Sequence, residues 1–279
     1  MVRMSAYIYR QMLTSAPSKG DAMSTTPPTR DHVVVVVAHP DDESFGCGSL
    51  IARAVAAGRP VTVVCATRGE GGERLPDPAT DHLPLAEVRE AELRAAAAVL
   101  GVGAIEVLGH RDSGFDGPVA PGALVATDVA TLAEELGGLL DRLAPTEVVV
   151  LDGRDGHRDH LHVLAAVERA LAARPGVRLV ESCLAASLMR RWVEEVRGAQ
   201  PDTAYLELDP DTLGRPDEEL TALDTSAHLE VRERAIACHR SQRSPFDDLS
   251  PELRRAFLGT DHVVVREEVA AAPTATRPG

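Results

Sequence analysis

Residues 33–37 are five consecutive valines, and short apolar runs of the same kind recur at intervals along the chain. β-Branched runs of this length suit strands that are buried on both faces. The runs at 33–38 (VVVVVA), 61–66 (VTVVCA), 104–108 (AIEVL), 147–151 (EVVVL) and 178–184 (RLVESCL) predict five strands. Ala- and Leu-rich stretches at 46–57, 85–100, 124–143 and 160–173 separate them and predict helices. Strand and helix in alternation specify an α/β fold, a mostly parallel sheet with helices on both faces and right-handed crossovers. Beyond residue 200 the pattern loosens. A further strand is expected near 204–208, a helix near 225–242 and a last strand at 262–266 (HVVVR). One α/β domain is expected over 32–268. Before it, 1–31 reads as a disordered leader in which Met23 is an alternative start, and after it 269–279 reads as a disordered tail.

Each predicted strand but the fifth is followed by a polar cluster. His39, Asp41 and Asp42 follow the first, and Thr67 to Gly71 the second. His110 to Ser113 follow the third, and DGRDGHRDH at 152–160 the fourth. Parallel strands end on one edge, and in a doubly wound, Rossmann-like sheet that edge is where ligands bind. The loops entering the strands (AAGRP, GVG, LAPT) carry little chemistry, so the one-sidedness points to an active site at the C-terminal strand edge.

The chain's net charge of −14 leaves no excess of Lys and Arg to neutralise phosphates, which argues against nucleic acid and against an anionic membrane surface. No run approaches the roughly 18–20 apolar residues of a membrane helix. Four cysteines stand far apart without a CxxC pair, which fits buried small hydrophobes in a reducing, cytoplasmic setting. A homo-oligomer is left open. Neither GxGxxG nor a P-loop occurs.

The adjacent carboxylates Asp41 and Asp42 repel each other and lose water at the end of a buried strand, so a cation must offset them. His160 opens a helix whose apolar stripe runs Leu164, Val167, Leu171, and that spacing puts His160 on the same stripe at its strand-edge end. His162 lies about 200° around the helix and points elsewhere. His39, Asp42 and His160 together make two imidazoles and a carboxylate with a place left for water, the ligand set of a catalytic zinc. Consecutive residues point in different directions, so one aspartate can ligate while the other takes a proton from bound water. His157 is placed to donate a proton to a leaving group or to stabilise an oxyanion. Arg68, Glu70, Arg111 and Asp112 either bind substrate hydroxyls or brace one another as ion pairs. His239 and Gln242, three apart near the end of the late helix, fit a surface face.

AHPDDE at 38–43 followed by GCG, TRGEGG at 67–72, RDSG at 111–114, HRDH at 157–160 and HRSQ at 239–242 occur in that order. With these motifs the chain resembles the zinc-dependent PIG-L/LmbE de-N-acetylase family over roughly residues 32–245. The resemblance implies His39, Asp42 and His160 as zinc ligands and Asp41 as general base. It also implies His157 as the histidine that stabilises the transition state or protonates the amine, with Asp159 orienting it. Arg68 and Glu70 fall in the family's loop after the second strand, Arg89 on the next helix, and His239 matches a late histidine that closes over the site. Three positions depart from the pattern. Asp155 stands where some relatives have a mobile tyrosine, His110 where an aromatic is common, and Ser49 where a second glycine is common.

The resulting expectation is a Zn²⁺-dependent hydrolase that removes acetate from an N-acetylated amino sugar, a small-molecule substrate. Asp41, His157 and Asp159 would be catalytic, and Arg68, Glu70, Arg111, Asp112 and His239 would meet the substrate. An amidase of a larger sugar conjugate and a non-catalytic metal- or sugar-binding module are the alternatives. With 3% aromatic residues, stacking platforms for long glycans are scarce, Trp192, Tyr205 and Phe246 being among the few.

Overall fold

The computed structural model describes residues 31–199, 204–267 and 269. Seven strands form one sheet in the order β3-β2-β1-β4-β5-β7-β6. They are β1 Val33–Val37, β2 Val61–Thr67, β3 Ala104–His110, β4 Glu147–Leu151, β5 Arg178–Cys183, β6 Thr221–Asp224 and β7 Thr260–Arg266. The first five are parallel, and β7 runs antiparallel to both β5 and β6. The α/β architecture expected from the alternating runs is therefore present. The expected leader and tail, apart from Asp31 and Val269, lie outside the described residues.

The valine run shows why both faces are covered. Successive strand side chains point to opposite faces. Val34 and Val36 join a core with Leu132, Leu136, Val163 and Val167, from the helices α4 (Val129–Leu143) and α5 (Arg158–Leu171). Val33, Val35 and Val37 join a second core on the other face with Ile51 and Leu93. Those come from α2 (Gly48–Ala56) and α3 (Leu85–Leu100), and a four-residue turn of helix, α1 (Asp42–Phe45), precedes them. A third cluster lies over the β5 and β7 end. It combines Met189, Trp192 and Val193 of α6 (Ala186–Ala199) with Phe246 and with Leu253 and Phe257 of α8 (Pro251–Gly259).

The later part of the chain departs from expectation. Residues 204–207 form a 3₁₀ turn rather than a strand, and Thr221–Asp224 takes the place beside β7 instead. The expected helix at 225–242 is a 3₁₀ turn at Ser226–His228 followed by only eight residues, α7 (Leu229–Ile236). Two helices, α6 and α8, were not anticipated, although both carry signals. Met189, Trp192, Val193 and Val196 repeat at helical spacing and are buried, and the Ser250 side chain caps α8 by accepting the Leu253 N–H.

The strand order reverses between β1 and β4, the two strands that carry the AHPDDE and HRDH segments. This switch point is where an open α/β sheet forms its binding crevice.

Candidate active site and metal centre

His39 and Asp42 leave the end of β1 in a tight turn. The Asp42 carboxylate accepts the His39 backbone N–H at 2.8 Å, which fixes the side chain under the strand edge. His160 comes from the first turn of α5, and all three side chains are buried. The atoms facing one another form a nearly equilateral triangle. His39 Nδ1 lies 3.5 Å from Asp42 Oδ2, His160 Nε2 lies 3.2 Å from the same oxygen, and the two nitrogens are 3.3 Å apart. A tetrahedral zinc with bonds of about 2.0–2.1 Å needs ligand atoms about 3.4 Å apart. The triangle fits.

The surroundings are built for positive charge. The outward nitrogens of both rings meet carboxylates: His160 Nδ1 is 2.5 Å from Asp155 Oδ2, and His39 Nε2 is 3.1 Å from Asp159 Oδ2 and 3.5 Å from Asp112 Oδ1. Burial opposes charge on His160, yet Asp155 and Asp42 raise it to about 10. Burial likewise opposes charge on His39, and Asp112, Asp159 and Asp42 raise it well above the usual range. Burial works against Asp42 too, but His160 and His39 hold its carboxyl well below the ordinary value.

Other groupings could hold an ion by proximity alone. His157 approaches both His39 and His160, and Asp112 and Asp159 converge on His39. Their bonds give them different work. His157 Nδ1 accepts the Asp159 backbone N–H, Asp159 Oδ2 accepts the Ser113 N–H, and Asp112 accepts from Gly71 and Gly114. These carboxylates orient the His39 ring, the arrangement commonly found around metal-binding histidines.

Asp41 and Asp42 do point apart. Asp41 Oδ2 accepts from Arg89 at 2.8 Å, whereas Asp42 Oδ2 faces His39 and His160. The backbone of Asp41 sits at φ 127°, a strained position for a residue with a Cβ. Its N–H donates to Glu43 Oε2, and its carbonyl accepts from Ser44 and Phe45. Glu43 is in turn held by His239, whose Nε2 is 2.7 Å from Glu43 Oε1. Burial raises the Asp41 carboxyl to about 6, against the opposing pull of the Arg89 guanidinium. Arg89 also donates to the carbonyls of Pro40 and Gly69. Gly69, at φ +66°, leaves room for it: a Cβ there would stand 2.5 Å from the guanidinium carbon.

His157 caps α5 with its own ring. Because Nδ1 accepts a backbone N–H, the proton of the neutral ring sits on Nε2. Burial, with the charges of His39 and His160 beside it, presses the ring down to about 4. In that tautomer the His157 Nε2–H is free to donate a hydrogen bond.

Several expectations need correction. Asp159 orients His39 rather than His157, because the helix turn delivers its carboxylate to His39 Nε2 and only its backbone N–H to His157. His239 is neither on a surface face nor over the cavity; it is buried behind Glu43. Of the five residues expected to meet substrate, only Asp112 lines the cavity beside the triangle. Arg68 turns to Glu90, Arg111 is exposed, and Glu70 is half-buried outside the cavity. Arg89, Asp155, Phe115, Leu188 and Met189 line it instead, together with Trp192, Tyr205 and Phe246. The cavity encloses about 390 Å³, within the range that holds small organic ligands.

The sequence profile described as PIG-L, GlcNAc-PI de-N-acetylase, matches residues 34–171. The protein named 1D-myo-inositol 2-acetamido-2-deoxy-α-D-glucopyranoside deacetylase in Actinosynnema mirum is 35% identical, over 87% of this chain and 94% of its own. The protein of that name from Thermobispora bispora is 33% identical, over 84% and 87%. The chain belongs to the PIG-L family. In fold it is similar to N,N'-diacetylchitobiose deacetylase from Pyrococcus horikoshii, with a TM-score of 0.59 and 18% identity over 99% of this chain and 98% of that one. It is also similar to 4-carboxy-2-hydroxymuconate hydratase from Pseudomonas putida, with a TM-score of 0.55 and 19% identity over 89% and 99%. A shared PIG-L-type fold thus does not by itself fix the reaction. No helix among the described residues is long and apolar enough to cross a membrane.

Proposed function

We propose that the protein is a zinc-dependent hydrolase that removes acetate from an N-acetylated amino sugar. The observation that carries this reading is Asp41. It stands beside the His39–Asp42–His160 triangle on a strained backbone, braced by Glu43 and paired with a buried arginine. A module that only bound metal or sugar would need the triangle and not a carboxylate held in strain next to it. The names of the curated relatives support the deacetylase reading over hydration of a carbon–carbon double bond.

His39, Asp42 and His160 would hold the zinc, which when bound polarises a carbonyl and eases deprotonation of water. Asp41 takes the proton of the attacking water, and Arg89 keeps that carboxylate ionised and aimed. His157 donates its Nε2–H to the acetamide oxygen as negative charge develops there. With His157 kept in this hydrogen-bonding role, the proton that leaves with the amine is the one Asp41 has just accepted. Asp41 thus serves as base and then as acid, and the bonds balance: water's oxygen joins the acetyl carbon, the C–N bond breaks, and the amine leaves protonated. Asp155 and Asp159 hold the two ligand rings, and Asp112 supports His39.

The test is acetate release from glycosides of N-acetylglucosamine, with and without a chelator. Asp41→Asn should retain its zinc by elemental analysis and lose turnover on the order of 10²-fold or more. A variant within threefold of the wild-type rate would remove Asp41 from its role. Hydration of an unsaturated acid with no acetamide cleaved would replace the deacetylase reading altogether.

A further inference from the structure

The cavity is not uniform. The loops after β2 and β3 bring Gly71, Glu73 and Asp112 to one half of it, near Gln242. The other half lies over β5 and β7, two and three strand spacings from β1, or about 10 and 14 Å. There the wall is Leu184, Leu188, Met189, Trp192, Phe246 and Phe257, with Phe45 toward the triangle.

Several polar groups along that wall are already committed. The Ser182 hydroxyl donates to the Gly46 carbonyl at 2.7 Å, the Trp192 indole N–H to Pro245 at 2.8 Å, and the Cys183 thiol to Glu181 at 3.4 Å. At the far end Arg232 is engaged by Asp261, by the Ser49 hydroxyl and by the carbonyls of Ser44, Phe45 and Phe257. Thr260, Asp261 and His262 line the same end, where Asp261 Oδ2 has no hydrogen-bond partner among the described residues. Tyr205 stands on the aromatic side of the cavity. Its ring packs on Phe115, with centroids 4.7 Å apart, and on Trp192 at 5.5 Å. A polyhydroxylated group laid against the α6 and Phe246 side would leave the hydroxyls facing it without partners, and each such loss costs affinity.

We propose that this half of the cavity receives an apolar aglycone, so that the substrate is an acetamido sugar carrying an alkyl or aryl group. The inference rests on the deacetylase reading and narrows it. The acetamide and sugar hydroxyls meet the polar half and the triangle, while the aglycone lies along α6 and beneath Phe246. The inositol glycoside named for the relatives, whose aglycone is a ring of hydroxyls, is then a poor substrate for this chain.

Two measurements test this. The first compares kcat/KM for the methyl, octyl and inositol glycosides of N-acetylglucosamine with the zinc-loaded enzyme, the octyl compound kept below its micellar range. Burial of a methylene is worth about fourfold, so octyl should exceed methyl at least tenfold, mainly through KM. Leu188→Glu, on a half-buried position of α6 where a helix former is tolerated, should bring the two within about twofold of each other. Equal values for methyl and octyl in the wild type, or an inositol glycoside tenfold better than octyl, would overturn the proposal while leaving the deacetylase standing. The second measurement does not need turnover. Trp192 is the only tryptophan in the chain, and it stands in the proposed wall. Octyl glucosaminide should change its emission saturably at concentrations where methyl glucosaminide does not. Unchanged emission with the octyl compound would sink the idea even if no glycoside were hydrolysed.

Discussion

Asp155 offers the sharpest test of how the metal group is held. Its Oδ2 lies 2.5 Å from His160 Nδ1, and its side chain is largely buried, so the bond is charge-assisted and poorly screened. Its other oxygen accepts the His157 backbone N–H at 3.0 Å and ties the turn before α5. Replacing it by Asn keeps the shape and an acceptor but removes the charge. A hydrogen bond to a charged group is worth about 1.5–3 kcal/mol against about 1 for a neutral one, so the loss is about 1–2 kcal/mol. At about 1.4 kcal/mol per factor of ten, Asp155→Asn should weaken zinc binding about 5- to 30-fold. Asp155→Ala removes the acceptor as well and lets the ring turn. It should reach the upper end of the 10- to 100-fold loss found for such outer partners.

The assay is competition against a chromophoric chelator at fixed pH, with the far-ultraviolet spectrum recorded to show that the fold persists. Turnover at saturating zinc reports separately on catalysis, and it should recover far more than the affinity does. If both variants bound zinc within twofold of the wild type, Asp155 would have no part in aiming His160. If Asn proved worse than Ala, the argument from charge would be wrong, and the turn at His157 would be what matters.

Two further outcomes follow from buried charges away from the triangle. Arg89→Met removes the counter-charge that restrains Asp41, whose carboxyl burial has already raised to about 6. The acidic limb of the kcat/KM profile should move to higher pH, so the variant loses more activity at pH 6.5 than at pH 8.5; a limb that stays in place would show that Arg89 does not govern the base. His239 is buried against Glu43, and burial opposes its charge while Glu43 raises it above the ordinary 6.5. A raised folded value means the pairing stabilises fully below about 6.5 and fades as pH climbs through that folded value. The Tm gap between wild type and His239→Asn should therefore be widest near pH 6 and shrink toward alkaline pH, and a gap that widened instead would reverse the sign of the argument.

The His39–Asp42–His160 triangle was legible because each part of it is announced locally. A buried valine strand ending in His39, Asp41 and Asp42 demands a cation, and the 3.6-residue period of Leu164, Val167 and Leu171 aims His160 at it. The same reasoning failed for Arg68 and Arg111. Both sit next to residues that do face inward, Thr67 and Asp112, and the chain alternates sides as it leaves each strand, so the arginines turn to Glu90 and to solvent. Arg89 carried no such signal, since it reaches Asp41 from the middle of a helix 48 positions later. A sign of it lay in the glycines of TRGEGG, whose backbone makes way for its guanidinium.

The apolar half of the cavity was hidden for a topological reason. The AHPDDE and HRDH loops are neighbours because β1 and β4 flank the switch point, so two short motifs suffice to build the chemistry. The opposite wall is assembled from α6, the 3₁₀ turn at Ala204–Glu207, the loop at Phe246 and α8. These segments meet only because β7 adds to β5 in the antiparallel sense and brings the end of the domain back over the strand edge. None of them touches the triangle's three ligands by hydrogen bond. Substitutions on the cavity side of α6, in the loop at Phe246 and in α8 can therefore reshape what the site admits while the triangle and Asp41 stay as they are.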